Sequence, residues 1–174
     1  ADSIIKKYIG SREFTSSAHR WCLWIDDSSL ELAQAIPMIR NRLEKVRIAR
    51  SGSKGSQSQS KANSPHRFVY APHQHGVRAL IVPSITTDSR EYLPVGLVSD
   101  DVVISNKAAV IYDPPMWTLS IVASRIHEQW IGNVCVRMRM GYSYSNTLGW
   151  NTFPIPKLTE KNKDDLTHCA EDIL

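Results

Sequence analysis

Short apolar runs, separated by polar and turn-forming residues, make up most of the chain. Bulky residues alternate from Arg20 to Ile25 and predict a strand that ends at Asp26. Later runs predict more short strands, with Pro, Gly, Asp, Asn and Ser between them to form turns. These runs occupy residues 68–70, 79–82, 102–104, 108–112 and 134–138.

Two helices are predicted after the first strand. Ser28, followed three residues later by Glu31, matches a capping box, so a short helix should begin near Ser29. Pro37 cannot continue that helix but can open the next one, which should end near Ser51. This second helix is basic, and its predicted apolar side consists of Met38, Leu43, Val46 and Ile48.

A second amphipathic helix and a C-terminal helix complete the pattern. Pro115 can occupy the first turn of a helix that runs to about Ile131, and residues 160–173 predict a polar terminal helix. Together the elements predict an α+β fold with a mixed or antiparallel sheet of short strands.

The length of 174 residues suggests one domain with a tail, because such a chain can bury a core of its own. We expect a domain over residues 1–156 and a helical tail over 157–174. Residues 51–64 contain six Ser and no large apolar residue, which predicts a flexible loop. The opening residue is Ala1 rather than Met, so we expect a fragment of a longer protein.

Charge is unevenly distributed along the chain. The net charge is only +4, but residues 40–67 hold eight Lys and Arg against the single acid Glu44. Concentrated positive charge is what phosphate contacts require. A solvated helix face with a flexible tether is the alternative interpretation of the same run.

Several classes of protein are disfavoured by composition. No apolar run approaches the roughly 20 residues of a membrane span, and no signal-peptide pattern is present, so we expect a cytoplasmic protein. The three Cys lie far apart without zinc spacing. His73-Gln74-His75 is better explained as a polar loop than as a metal site, and His127-Glu128 as helix packing than as acid–base chemistry. We therefore expect no metal and no catalytic residue.

Residues Asp113-Pro114-Pro115-Met116 resemble the D/N-P-P-aromatic motif of amino-methyltransferases. In that motif the acid or amide accepts a hydrogen bond from the amine and the aromatic ring stacks on a flipped base. Here Met116 replaces the aromatic residue, and no Gly-rich turn is present to hold S-adenosylmethionine. A turn from a strand into a helix accounts for the same residues.

A series of motifs resembles the target-recognition domain of MmeI-like (type IIL) DNA methyltransferases and restriction-modification enzymes. The clearest is the closing segment, where Tyr142-Ser143-Tyr144-Ser145 precedes an N-x-F-P-x-P exit at 151–156. Five further pieces occur in the family's order: Arg20-Trp21; Arg42, Arg47 and Arg50 with Ser51; Pro65-His66-Arg67-Phe68; Val82-Pro83 through Arg90 to Pro94; and Ser124 through His127 to Trp130.

The resemblance implies a division of labour. This chain would recognise a sequence in double-stranded DNA, and a methyltransferase domain of the same protein would methylate adenine N6 with S-adenosylmethionine, in some relatives beside a fused nuclease. The closing loop would read bases in the major groove through Arg139, Gly141 and Ser143, since Arg can donate two hydrogen bonds to guanine. On an extended segment these three would face the groove, and Met138, Met140 and Tyr142 would point inward. The predicted phosphate-binding residues are Arg40, Arg42, Arg47, Arg50, Lys54, Lys61 and Arg90.

Three departures from the family pattern leave the target sequence open. Arg137-Met138 lacks the usual preceding Gly, Ser143 stands where Arg is common, and Ile155 stands where Trp is common. Two other functions remain as alternatives. The chain could belong to the methyltransferase core, with Asp113-Pro114-Pro115 binding the amine, or it could bind single-stranded nucleic acid or RNA by stacking bases on its aromatic residues.

Overall fold

The computed structural model describes residues 4–70, 76–87, 89–138 and 141–174. Its strands are β1 (Ile5–Ile9), β2 (Trp21–Leu23), β3 (Ala79–Pro83), β4 (Ile85–Thr87), β5 (Gly96–Val98), β6 (Val102–Ile104), β7 (Ala108–Tyr112), β8 (Val136–Arg137) and β9 (Gly141–Ser143). Its α-helices are α1 (Ser11–Ser16), α2 (Leu30–Ala35), α3 (Pro37–Ser51), α4 (Ser56–Ser60), α5 (Met116–Ala123), α6 (Arg125–Val134) and α7 (Glu160–Ile173), and a π-helical turn covers Asn146–Trp150. The α+β prediction is confirmed.

The chain forms two compact units, one from residues 1–7 with 21–71 and the other from 8–20 with 72–174. In the first unit, Ile5 to Lys7 of β1 pair antiparallel with β2. Its core contains Ile4, Ile25, Ala33 and Leu43. The stacked rings of Trp24 and Phe68 have centroids 5.6 Å apart.

Pro37 opens α3 at its first position, as predicted, because its missing N–H and fixed φ suit the first turn. The predicted apolar side of this helix was only partly right. Leu43 is buried and Val46 partly buried, but Met38 and Ile48 are exposed, and Ile39 packs on the core instead.

Three other details of this unit differ from the expectations. The side chain of Ser28 bonds to Asp26 and does not cap α2, whose N-cap is Ser29. Residues 68–70 form no strand, and Phe68 packs on Trp24. The segment expected to be a loop contains the short helix α4.

The second unit contains two antiparallel sheets. In one, β3 lies between β5 and β7, and every residue of β3 is buried, as its uninterrupted apolar run suggests. In the other, β9 lies between β4 and β8. The sequence pattern does not predict β4 or β5, which have three residues each.

The helix predicted from Pro115 to about Ile131 is in fact two helices, α5 and α6. Ser124 separates them because its backbone is extended (ψ 149°) and its Oγ caps α6 by accepting from the His127 N–H at 3.1 Å. Helix α7 matches its predicted range and packs on α5, where the Ser120 hydroxyl donates to the Leu166 carbonyl and Ala170 is fully buried. No helix in the described ranges is long and apolar enough to cross a bilayer.

Candidate nucleic-acid interface

Helix α3 presents exposed arginines to solvent. Arg40 donates through Nε to the Gln34 carbonyl at 2.9 Å. Arg47 forms a two-point ion pair with Glu44, at 2.8 and 2.6 Å. These hydrogen bonds lower the pKa of Glu44 and raise the pKa of Arg47. Arg42 is exposed at the edge of a cleft of about 240 Å³ that Leu23, Ile25, Leu43 and Phe68 also line.

Arg50 has a structural role that the sequence did not reveal. Its guanidinium donates to the backbone carbonyls of Lys61, Ser64 and Arg67 at 2.9 to 3.1 Å. Burial lowers the pKa of Arg50. The position follows from helix geometry, since Leu43, Val46 and Arg50 recur at the spacing of one helix face. The geometry therefore shows Arg50 holding the segment after α4, and its contact with a phosphate stays a prediction.

Asp27, between β2 and α2, binds the residues that follow α4. Its carboxylate accepts from Arg67 Nε and contacts His66 Nε2, each at 2.9 Å. These bonds, Arg67's being the larger influence, lower the pKa of Asp27. The remaining predicted phosphate contacts, Lys54, Lys61 and Arg90, are exposed or half-exposed.

In the second unit, the β4–β9–β8 sheet carries the predicted reading segment. Ser143 is directly opposite Ile85 on one side and Val136 on the other, and Tyr142 is opposite Thr86 and Arg137. Tyr142 and Thr86 are buried, whereas Ile85 and Val136 are exposed. The sheet therefore has an inner face and an outer face, and Ser143 belongs to the outer one.

Polar bonds from the inner face fix the sheet to α6. The Tyr142 hydroxyl donates to Glu128 Oε1 at 2.8 Å, and the Gln129 amide donates to Glu128 Oε2 at 2.7 Å. Tyr144 reaches His127 Nε2 at 3.3 Å. Both tyrosines of the Tyr-Ser-Tyr-Ser motif thus bind to α6, and Ser143 between them points to the outer face.

His127 is enclosed by the exit motif. Its ring meets Phe153 edge-on at 4.6 Å between centroids and lies 6.0 Å from the Trp150 ring. Burial lowers the pKa of His127 to about 4 and raises that of Tyr144. His127 is therefore neutral near pH 7, and it packs fully buried against the rings of Trp150 and Phe153.

The predicted base readers differ in their placement. Ser143 lies half-buried on the outer face, but Gly141 is buried, and a Cβ added to it would overlap the Thr86 carbonyl oxygen. Gly141 therefore permits close pairing of β4 and β9 and offers no side chain. Arg139 and Met140 lie outside the described residues. Met138 is exposed, and the prediction that it points inward was wrong, because Met138 follows β8, which pairs antiparallel with β9, and does not share one continuous strand with Tyr142.

Sequence reasoning missed the exposed apolar residues of this sheet, Ile85, Val136 and Met138. The alternation of Val136, Arg137 and Met138 was a usable signal for one face. Ile85 had none, because its strand was not predicted.

The alternative functional motifs fit less well. Asp113 has a left-handed backbone (φ 44°), its N–H donates to the Arg78 carbonyl at 2.8 Å, and the helix after it begins at Met116. The strand before it, β7, is antiparallel to β3. His73 and His75 lie outside the described residues. Of the tryptophans, Trp21 is exposed and the others are partly buried.

Comparisons with known proteins agree with these motifs. The family model of the MmeI target recognition domain matches residues 1–157. A DNA methyltransferase A of Bacillus subtilis (strain 168) is 34% identical over 169 residues, which are 97% of this chain and 19% of that protein. The chain therefore spans about a fifth of this relative's length.

A solved structure of the type IIL restriction-modification enzyme MmeI in complex with DNA is also similar. It superposes with a TM-score of 0.94 at 28% identity, over 99% of this chain and 23% of that one. The family match, the identity with the methyltransferase and the shared fold establish that this chain belongs to the MmeI target recognition domain family.

Proposed function

We propose that this domain recognises a specific sequence in double-stranded DNA on behalf of an adenine-N6 methyltransferase, and that catalysis takes place outside these residues. The observation that carries the proposal is the family match over residues 1–157, together with a structural relative described in complex with DNA. The protein would act in the cytoplasm, and a nuclease fused to it would be compatible with the same role.

The two units supply different parts of this function. In the first, Arg40, Arg42 and Arg47 on α3, with Lys54 and Lys61, would contact phosphates without reading sequence. In the second, the outer face of the β4–β9–β8 sheet would face bases, with Ser143 on it. Arg139, which comes between β8 and β9 in the sequence, would read a base, and Arg90 would contact phosphate. Gly141 would act through the backbone, since its role is to let β4 and β9 approach.

S-adenosylmethionine would be bound by the rest of the enzyme. The described residues do not resemble a binding site for this cofactor, because the strands β3, β5 and β7 are antiparallel and no Gly-rich turn follows them in the sequence. The recognition domain would end near residue 156, as expected from the sequence. Helix α7 beyond it would fold with the second unit, because Ala170 is buried in that unit's core.

Selection from a random pool of DNA duplexes tests the proposal. The protein should enrich one short sequence, and excess single-stranded DNA or RNA should compete weakly. Enrichment without any sequence preference, or stronger competition by single strands, would favour the nucleic-acid stacking alternative. If calorimetry detected binding of S-adenosylmethionine to residues 1–174, the result would instead support the catalytic alternative, in which Asp113 binds the amine.

A further inference from the structure

The outer face of the β4–β9–β8 sheet displays apolar side chains at its centre. Ile85 is 57% exposed and Val136 is 67% exposed, and both are directly opposite Ser143. Side chains of opposed residues project to the same face of a sheet. Ile85, Ser143 and Val136 therefore form one row, which we call the outer row.

The outer row is not an extension of the core. The adjacent row, Thr86 with Tyr142, points to the opposite face and is buried against α6. Since the inner face already holds the sheet to the unit, folding does not require apolar groups on the outer side. Met138, which is also exposed, adds to the apolar surface near the end of β8. Contiguous exposed apolar groups of this kind indicate a binding surface.

An exposed cation beside β4 favours a nucleic acid as the occupant, since Arg90 follows that strand and its N–H donates to the Thr87 carbonyl at 3.3 Å. Arg137, opposite Tyr142, belongs to the other face, where its guanidinium lies 5.8 Å from the centroid of the Tyr142 ring. A narrow ribbon of strands fits the major groove, whose floor presents hydrogen-bonding groups and one apolar group, the C5-methyl of thymine. Branched aliphatic side chains beside a serine complement that mixture.

We propose that Ile85 and Val136 contact thymine methyl groups, so that the target of this domain includes at least one A·T pair read through its methyl group. The proposal rests on the proposed function and adds to it the chemistry of the bases selected. The outer row distinguishes thymine from cytosine by apolar contact, and the hydrogen-bonding residues of the same face distinguish the remaining bases.

Uracil substitution tests this contact without altering hydrogen bonding. The full-length protein that carries this domain is first used to select its target, and each thymine is then replaced by uracil, which lacks only the methyl group. At one or more positions, affinity should fall about fourfold, the factor that corresponds to about 0.8 kcal/mol for a buried methyl group. Val136→Ser and Ile85→Ser remove the γ-methyl groups from an exposed strand, and at least one of them should abolish the difference between thymine and uracil.

Ile126→Ser is the matched control, because Ile126 is 75% exposed but lies on α6 and not on the sheet. That variant should keep the full thymine preference. A target without thymine, or an unchanged uracil effect in both outer-row variants, would overturn the proposal while sequence-specific binding persists. Loss of stability in the outer-row variants with no uracil effect would overturn it too, and would indicate that another protein surface covers the row. Failure to select any sequence would instead refute the proposed function itself.

Discussion

Helix α3 and the β4–β9–β8 sheet offer a nucleic acid contrasting chemistry. The helix carries long, charged and mostly exposed arginines, and the half-buried Arg50 is fixed by three backbone carbonyls. The sheet has short side chains on a surface that hydrogen bonds lock to α6. Charge acts over many ångströms and tolerates mobility, whereas base discrimination requires placement to within a fraction of an ångström.

The comparison explains why the family's motif residues are mostly buried. Tyr142, Tyr144 and Phe153 do not read anything in this arrangement, because each packs around His127 or Glu128. Their packing holds β9 against α6, and Ser143 lies between the two tyrosines on the outer face.

The largest expected effect is the loss of the rigid sheet by Gly141→Ala. The new Cβ would overlap the Thr86 carbonyl, so β4 and β9 would have to separate. The free energy of unfolding should fall by about 3 kcal/mol or more, which is the upper end of the usual cost of overpacking. Denaturant titration measures this. Gly55→Ala is the control, because its Cβ would find its nearest neighbour at an ordinary 3.7 Å. Equal stability of the two variants would refute the account of Gly141.

Lowering the pH should reduce the free energy of unfolding through protonation of His127, which packs behind the sheet. Since its folded pKa is about 4 and below its unfolded value, protonation favours the unfolded chain. The contribution of neutral His127 is complete above the unfolded pKa of about 6.5 and is lost as pH falls towards 4, by roughly 3 kcal/mol in total. Stability measured from pH 7 to pH 4 should fall less steeply in His127→Gln than in the parent. In His168→Gln, where the replaced side chain is exposed, the slope should match the parent. Parallel slopes in His127→Gln and the parent would contradict the assignment.

Arg50→Met should destabilise the first unit by about 2 kcal/mol, because three backbone carbonyls lose a charged donor. Arg50→Lys should not restore the stability, since one ammonium group cannot reproduce the guanidinium fork. Thermal unfolding would show both effects. Arg42→Met, on the same helix but exposed, should leave the melting temperature unchanged, and an equal loss in the two Met variants would remove the distinction between them.

Arg42→Glu should show the smallest and least selective effect. It should weaken binding to all duplexes alike and flatten the dependence of log affinity on log salt concentration by about one counterion. Titrations at several salt concentrations with target and unrelated duplexes measure this. A change in preferred sequence would show that Arg42 reads bases.

The sequence predicted the elements that depend on local pattern. Pro37 at the start of α3, the buried run of β3 and the range of α7 follow from propensity and periodicity. Ser124 shows the limit of that reasoning, because a capping serine inside an apolar stretch divided one predicted helix into two. Strand β4 has only one large apolar residue, Ile85, and depends on pairing with β9, which no local pattern records.

The candidate site was predictable to a similar degree. Charge identified α3, and the closing motif identified the β8–β9 region. Neither indicated which side chains form hydrogen bonds within the fold and which remain exposed. Arg50 and Arg42 are the same residue type on the same helix, but only Arg50 of the two lies within reach of the carbonyls that follow α4. The outer row was missed for the same reason, since Ile85 and Val136 are 51 residues apart and become neighbours only through Ser143.

The central claim is that the region between β8 and β9 selects bases while α3 does not. Mapping of methylated sites in the full-length protein, with Arg139→Ala compared to Arg42→Ala, tests it most directly. The account predicts that Arg139→Ala relaxes the choice at one base position, by about 1–3 kcal/mol, and that Arg42→Ala lowers activity at an unchanged recognition sequence. An unchanged sequence with Arg139→Ala, or a changed one with Arg42→Ala, would contradict it.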